Sequence, residues 1–356
     1  ENVEVMAGDF ETFNIRKLDD IEKMSDFSGR KTEVIKVNQA IASLATNNAR
    51  QIYNQVSGLN VFQNDDAGLQ LNIGGRGLDP NRTSNFNTRQ NDYDISADVL
   101  GYPESYYTPP VEALEEIQIV RGAASLQYGT QFGGLLNFVF KAPNTKKSIE
   151  LISRNSIGSN NLFTNFTSLS GTLNKFSYYT FVNYKKGDGF RPNSNFNSIN
   201  LYSFWKYSFN NKLEISSEIT HMNYLTQQAG GLTDQMFNNN ILQSNRSRNW
   251  FEVNWLLFNT KLLYKPTEKT KLSLSLFGLD AERNALGYRT NRVNQADIGG
   301  VRDLIKGDFK NYGIESKVLH RYKLFNKSTA FVFGFKHYKS TNRSSQGPGS
   351  DNGDAD

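Results

Sequence analysis

The sequence predicts two units in series: a compact α+β unit, then an antiparallel β-barrel that crosses a membrane with its strands. Three observations carry this. Residues 31–146 mix short apolar runs, one helix-like period and clusters of glycine. After Lys147 the mixture gives way to segments of roughly ten residues in which apolar and polar side chains alternate, so that each strand has one greasy and one wet face. The links between those segments alternate between short and long, as in barrels with tight turns at one rim and long loops at the other.

A chain of 356 residues can hold more than one core. Mean hydropathy is negative, and no apolar run approaches the roughly 20 residues of a membrane-crossing helix. A strand-built barrel stays open, because lipid-facing and lumen-facing residues average out along each strand. The absence of cysteine excludes disulfides and thiolate metal sites. A net charge of +5 over this length gives no nucleic-acid signal. No signal peptide is visible at Glu1, so the chain reads as mature or cut.

Residues 1–30 mix charges with little periodicity and read as a flexible leader, with Val3-Glu4-Val5-Met6-Ala7 as a short extended segment. Thr32–Val37 reads as a strand. Asn47 or Asn48 is placed to cap a helix through Ala49, Ile52, Tyr53 and Val56, ended by Gly58. Leu59–Phe62 and Gly68–Ile73 read as strands, the second running into Gly74-Gly75-Arg76-Gly77. That glycine run is not a phosphate cradle, since no helical period follows it. Asp79–Gln90 is polar and reads as a loop, and Leu100–Pro110 as a second one. Val111–Glu116 reads as a helical turn leading into the strand Ile117–Val120. The stretch from Ile119 to Lys141, IVRGAASLQYGTQFGGLLNFVFK, reads as strand, tight turn and strand, its glycines allowing positive φ and close backbone approach. Pro143 breaks the extended run, and the domain boundary falls near Lys146.

This first unit resembles the plug domain of TonB-dependent outer-membrane receptors. Val120-Arg121-Gly122 with Ser125 and Tyr128-Gly129, followed by Gly133-Gly134 and Asn137, is similar to the end of that domain. The order helix, strand, Gly-Gly-Arg-Gly matches its earlier part. Gly77–Arg82 and Gly101–Glu104 most resemble the ferric-dicitrate branch. The resemblance implies that residues 1–30 are a leader with a TonB-contacting segment (Val3, Glu4, Val5, Met6, Ala7), that 31–146 are the plug, and that 147–356 begin the transmembrane barrel. It implies that the two polar loops point outward and meet a ligand. Arg82, Thr83, Asn87, Arg89 and Gln90 would then supply guanidinium and amide donors to a carboxylate-rich chelate.

In the second unit, strands are expected near 149–157, 162–171, 176–184, 197–207, 212–222, 250–264, 270–280, 308–322 and 328–339. Ile215 and Ile219 oppose Glu214 and Glu218, and Tyr312, Ile314 and Val318 oppose Glu315 and Lys317. Aromatics such as Trp205, Tyr207, Tyr264 and Tyr322 gather near segment ends, as in an interfacial girdle. A soluble β-sandwich would also alternate, but has no reason to alternate its link lengths. The link 158–161 is short where a long one is expected. An eight-stranded barrel has no room for a plug, whereas plugged transporters have about 22 strands. Nine strands therefore read as part of a barrel, and the Gly- and Asp-rich residues 346–356 as a loop in which the chain stops, leaving an open edge that lipid does not tolerate.

Catalytic constellations are absent. His221, His320 and His337 lie in strand segments without metal-ligand spacing, and no nucleophile elbow occurs. The chain is expected not to be an enzyme and to need no cofactor beyond iron carried in a chelate. Its expected place is the outer membrane of a Gram-negative bacterium. The expected partners are TonB with its inner-membrane energising proteins, a ferric chelate, and outer-membrane lipid, with no nucleic acid. Loop residues Arg191, Arg246, Arg248, Arg289 and Arg292 are expected to complete the ligand site. Glu214, Glu218 and Glu315 are expected to hold the plug through Arg76 or Arg121. The alternatives are another substrate, such as cobalamin or an oligosaccharide, or a secreted β-rich binding or adhesion protein.

Overall fold

The structure, a computed structural model, describes residues 15–22, 24–27, 32–39, 50–53, 56–99, 102–129, 131–288, 292–350 and 354–355. The segment Val3–Ala7, the capping residues Asn47 and Asn48, Gly101 and Arg289 lie outside the described residues.

The first unit contains β1 (Ile15–Arg16), β2 (Ile21–Glu22), β3 (Ser25–Asp26), β4 (Thr32–Lys36), α1 (Arg50–Tyr53), β5 (Leu59–Gln63) and β6 (Leu71–Gly75). It continues with β7 (Phe86–Gln90), β8 (Tyr93–Asp94), β9 (Ala97–Val99), β10 (Tyr102–Glu104), β11 (Leu114–Val120) and β12 (Gly134–Phe140). Six of these form one sheet in the order β1-β4-β11-β12-β7-β8, with β12 and β7 parallel. The apolar runs follow from burial of the central strands on both faces. Ile35, Ile119 and Leu136 enter the main core with Ile52 and Tyr53. Their neighbours Val34, Val120 and Leu135 point the other way, into a smaller core with Leu18, Phe27 and Tyr128.

The structure corrects several expectations here. Residues 15–27 are not simply a leader, because β1 pairs with β4 and extends the sheet. The small residues 122–128 form a 3-10 helix between β11 and β12 rather than a tight turn. Gly134 starts β12 at φ +104, where a Cβ would fall on the Val120 carbonyl oxygen. The expected loop 79–90 holds a 3-10 turn, Asn81–Thr83, and then β7. Asn87, Arg89 and Gln90 are therefore strand residues.

The second unit is a meander of nine antiparallel strands in chain order. These are β13 (Glu150–Ile157), β14 (Phe163–Leu173), β15 (Phe176–Gly187), β16 (Phe196–Ser208), β17 (Leu213–Gln227), β18 (Trp250–Thr267), β19 (Thr270–Gly287), β20 (Arg302–Leu324) and β21 (Lys327–Gly349). It is a single sheet, not two stacked ones, so it is not a sandwich. A short helix, α2 (Asp234–Asn239), interrupts the 228–249 loop. The strand β21 includes Gln346–Gly349, which the composition had assigned to a loop. One face of the sheet packs on the first unit: Tyr202, Met222, Trp255, Leu257, Phe277, Leu279 and Phe309 join its core. The other face exposes Ile215, Ile219, Phe258, Leu274, Leu276, Phe333 and Phe335. Links 174–175, 268–269 and 325–326 lie at one rim, and loops 188–195, 228–249 and 288–301 at the other. No helix among the described residues is long and apolar enough to cross a membrane.

Candidate functional site

The first unit and the sheet meet through polar side chains of β7, β8 and the turn between them. Neighbours along a strand point to opposite faces, so Arg89 and Gln90 reach different parts of the wall. Arg89, 1% exposed, pairs with Asp94 at 3.0 Å and with Glu315 of β20 at 3.1 Å. Its guanidinium lies 4.7 Å from the Tyr128 ring centroid. Burial works against its charge, but Asp94 and Glu315 more than offset this and raise its pKa. Gln90 donates to Glu218 Oε1 at 3.2 Å and Thr220 Oγ1 at 3.0 Å. Asn91 donates to Glu218 Oε2 at 2.7 Å. Further along, Lys336 pairs with Asp94, and Trp255 Nε1 donates to the Ile95 carbonyl at 3.2 Å.

These positions differ from the expected ligand contacts. Arg89 and Gln90 are enclosed, and Asn87 accepts from Arg89 Nε at 3.1 Å. Thr83, 4% exposed, accepts from the Ile73 amide at 3.1 Å and pins its turn to β6. The wall glutamates also have other partners than expected. Glu315 takes Arg89 and Lys317, Glu218 takes Gln90, Asn91 and Tyr202, and Glu214 lies 3.7 Å from Lys265. Arg76 is exposed in a positive-φ turn. Arg121 pairs with Glu33 at 3.0 Å and donates to the Ser57 carbonyl, so it stays within the first unit.

At the loop rim, two cavities share Asn64 and Gln228. One, of about 450 Å³, is lined by Arg82, Glu104, Tyr106, Phe251 and Arg283. The other, of about 550 Å³, is lined by Arg50, Asp65, Asp66 and Arg191. Arg82 pairs with Glu104 at 2.5 Å, and Tyr106 donates to the second oxygen of the same carboxylate at 2.7 Å. Arg283, on the inner face of β19, lies 5.5 Å from the Tyr106 ring centroid. It is 8% exposed, and its Nε has no hydrogen-bond partner among the described residues. With Arg82 it gives the cavity a second guanidinium, a group suited to an anion. Sequence reading missed Arg283 because it looked for cations in loops; the alternating segment Leu279-Asp280-Ala281-Glu282-Arg283 carried the signal.

The loop arginines hold the loops to one another. Arg191 donates to the carbonyls of Gly230 at 2.8 Å and Gln243 at 2.8 Å. Arg246 donates to the Gln295 carbonyl at 2.7 Å, and Arg248 pairs with Asp297 at 2.7 Å. Asp66 of the first unit accepts from the amides of Phe190 and Arg191, which ties loop 188–195 to that unit. Arg292 is exposed in the 288–301 loop.

Residues 28–135 match the family described as TonB-dependent Receptor Plug Domain, as the resemblance in the sequence implies. No curated protein matches the chain by sequence. Among solved structures, the unliganded ferric citrate transporter FecA superposes with a TM-score of 0.75 at 19% identity, over 89% of this chain and 48% of that one. The ferripyoverdine receptor of the Pseudomonas aeruginosa outer membrane gives 0.72 at 13% identity, over 89% and 43%. BauA, the ferric preacinetobactin receptor of Acinetobacter baumannii, gives 0.69 at 12% identity, over 89% and 47%. The chain thus has the fold of these structures and spans about half the length of each.

Proposed function

We propose that the chain, with its plug domain, belongs to a TonB-dependent receptor of a Gram-negative outer membrane that binds and imports a ferric chelate. The sheet's greasy face meets lipid, its polar face and the plug fill the lumen, and the loop rim faces outward. The observation that carries the ligand reading is Arg283, a cation from the inner face of β19 that lines the outer cavity beside Tyr106.

Arg82 and Arg283 stand on the same cavity as one carboxylate, Glu104, which Arg82 already neutralises. That balance favours an anion, a carboxylate-bearing chelate such as ferric dicitrate, over a neutral oligosaccharide. Tyr106 and Phe251, 5.7 Å apart, supply the apolar wall. A bound chelate would draw Arg82 away from Glu104 and so act on the plug directly. TonB, pulling on the N-terminal segment, would supply the energy for entry. The substrate would be moved without chemical change.

The test is titration of ferric citrate onto the intact protein and onto its Arg283→Ala and Arg82→Ala forms. Weaker binding by both supports the reading. Unchanged affinity in Arg283→Ala would remove the site from this cavity.

A further inference from the structure

The two cavities at the loop rim adjoin at Asn64 and Gln228 and are of similar size, about 450 and 550 Å³, but they differ in chemistry. The first sets Arg82 and Arg283 against one carboxylate, Glu104, and keeps an excess of positive charge. In the second, Arg50 and Arg191 face Asp65 and Asp66, so the formal charges cancel. Three of these four groups are engaged by the chain itself. Asp65 accepts from the amides of Leu69 and Gln70, and Asp66 from those of Phe190 and Arg191. The Arg191 guanidinium is taken up by the carbonyls of Gly230 and Gln243. What remains for a guest is carboxamide, above all Asn64 and Gln228 at the junction.

These two amides ask for a donor. Gln228 spends its Nε2 on Gln70 Oε1 at 3.0 Å, which leaves its own Oε1 as an acceptor. Neither that oxygen nor the Asn64 side chain has a hydrogen-bond partner among the described residues. A carboxylate has no hydrogen to give, and the hydroxyl of a citrate bound to iron is held at the metal. Ferric citrate therefore suits the guanidinium side and sets acceptor against acceptor at Gln228. An amide N–H on the ligand meets that oxygen, and an amide pairs with Asn64 as both donor and acceptor.

We propose that the ligand of this rim is two-ended: an anionic chelate head at Arg82 and Arg283, and a neutral amide-bearing arm that crosses Asn64 and Gln228 into the second cavity. The class that fits is an iron(III) complex of a citrate whose terminal carboxyls are amides carrying further iron-binding groups. Such a ligand keeps the central carboxylate and its negative charge, and gains N–H donors. This rests on the transport reading above and narrows its substrate from a citrate to a citrate amide, with Asn64 and Gln228 as the specificity determinants.

The test is titration of the intact protein with three iron complexes. These are ferric citrate, ferric schizokinen (a citrate with two amide-linked hydroxamate arms) and ferrichrome (a neutral cyclic-peptide trihydroxamate with amides and no carboxylate). Ferric schizokinen is expected to bind at least about tenfold more tightly than the other two, the worth of one enclosed hydrogen bond or more. Asn64→Ala and Gln228→Met are each expected to lose about tenfold toward ferric schizokinen and much less toward ferric citrate, so that the preference falls. Ferric citrate bound as tightly as ferric schizokinen would overturn the amide arm while leaving the outer site standing. So would variants that keep their affinity for ferric schizokinen, or that weaken both citrate complexes alike, as a general loosening of the rim would do. Ferrichrome bound as tightly as ferric schizokinen, or no binding of any of the three, overturns the anionic head and with it both readings.

Discussion

Arg89 of the plug reaches Glu315 of the wall at 3.1 Å, with Asp94 at 3.0 Å on its other side and both carboxylates almost enclosed. Without Arg89, Glu315 keeps Lys317 and Asp94 keeps Lys336, so the loss is real but smaller than the roughly 3–5 kcal/mol of an uncompensated buried charge. Arg89→Ala is therefore expected to lower the unfolding temperature of the intact protein and open the plug to proteolysis. Its affinity for ferric citrate should match the unsubstituted protein. Calorimetry beside titration checks this; weakened binding at full stability would place Arg89 in the ligand site.

The tie between Arg248 and Asp297 makes the loop rim sensitive to acid. Hydrogen bonds from Arg248 hold the Asp297 carboxyl below its ordinary range, despite partial burial. A depressed carboxylate pKa contributes stability that is present above the unfolded value, about 4, and is lost as pH falls through the folded one. The protection of the Gly299 amide, which donates to Asp297 Oδ1 at 3.0 Å, measured as exchange relative to the intrinsic rate at each pH, should hold at neutral pH and be lost in acid. Asp297→Ala should lack that protection at every pH.

Gly134 and Gly77 both have positive φ but differ in surroundings. A Cβ at Gly77 meets nothing within 4 Å, whereas one at Gly134 falls on the Val120 carbonyl. Gly77→Ala should cost about 1 kcal/mol, the backbone preference alone. Gly134→Ala should cost more than about 3 kcal/mol, because β12 must shift from β11. Comparing the two by denaturant unfolding checks whether the close approach is real.

Trp255 reports on the outer cavity. It is fully enclosed, and its ring lies 6.1 Å from that of Tyr106, which lines the cavity. Ferric citrate should change the tryptophan emission of the intact protein, and Trp255→Phe should remove most of that change. Losing the bond to Ile95 should also cost about 1–3 kcal/mol.

The wall was legible in the sequence more fully at one rim than at the other. Expected strands began or ended within about three residues of the observed ones at the short turns, where register is fixed by the turn and by alternation. At the loop rim they fell short: β21 runs to Gly349, not 339, and β19 to Gly287, not 280. Residues such as Lys306, Asp308, Thr341 and Arg343 carry no greasy face there, so alternation fades while pairing continues. The same reasoning explains β7. Phe-Asn-Thr-Arg-Gln lacks an apolar stripe because Arg89 and Gln90 meet glutamates and a threonine, and a polar strand looks like a loop. Arg283 was hidden for the converse reason, a cation within an ordinary alternating strand.

Three of the wall's hairpins close in two residues, at 174–175, 268–269 and 325–326, with Asn174, Phe325 and Asn326 at positive φ. An extra residue at such a turn would force the strands out of register, and the pairing of the next hairpin with them. At the opposite rim the link 158–162 is also short, but the loops 188–195 and 228–249 are long and held by side chains, so they carry no such constraint. The molecule can therefore acquire length at those long loops and not at the two-residue turns. A peptide epitope inserted between Asn239 and Asn240 should be carried and displayed, while the same epitope between Phe325 and Asn326 should block assembly.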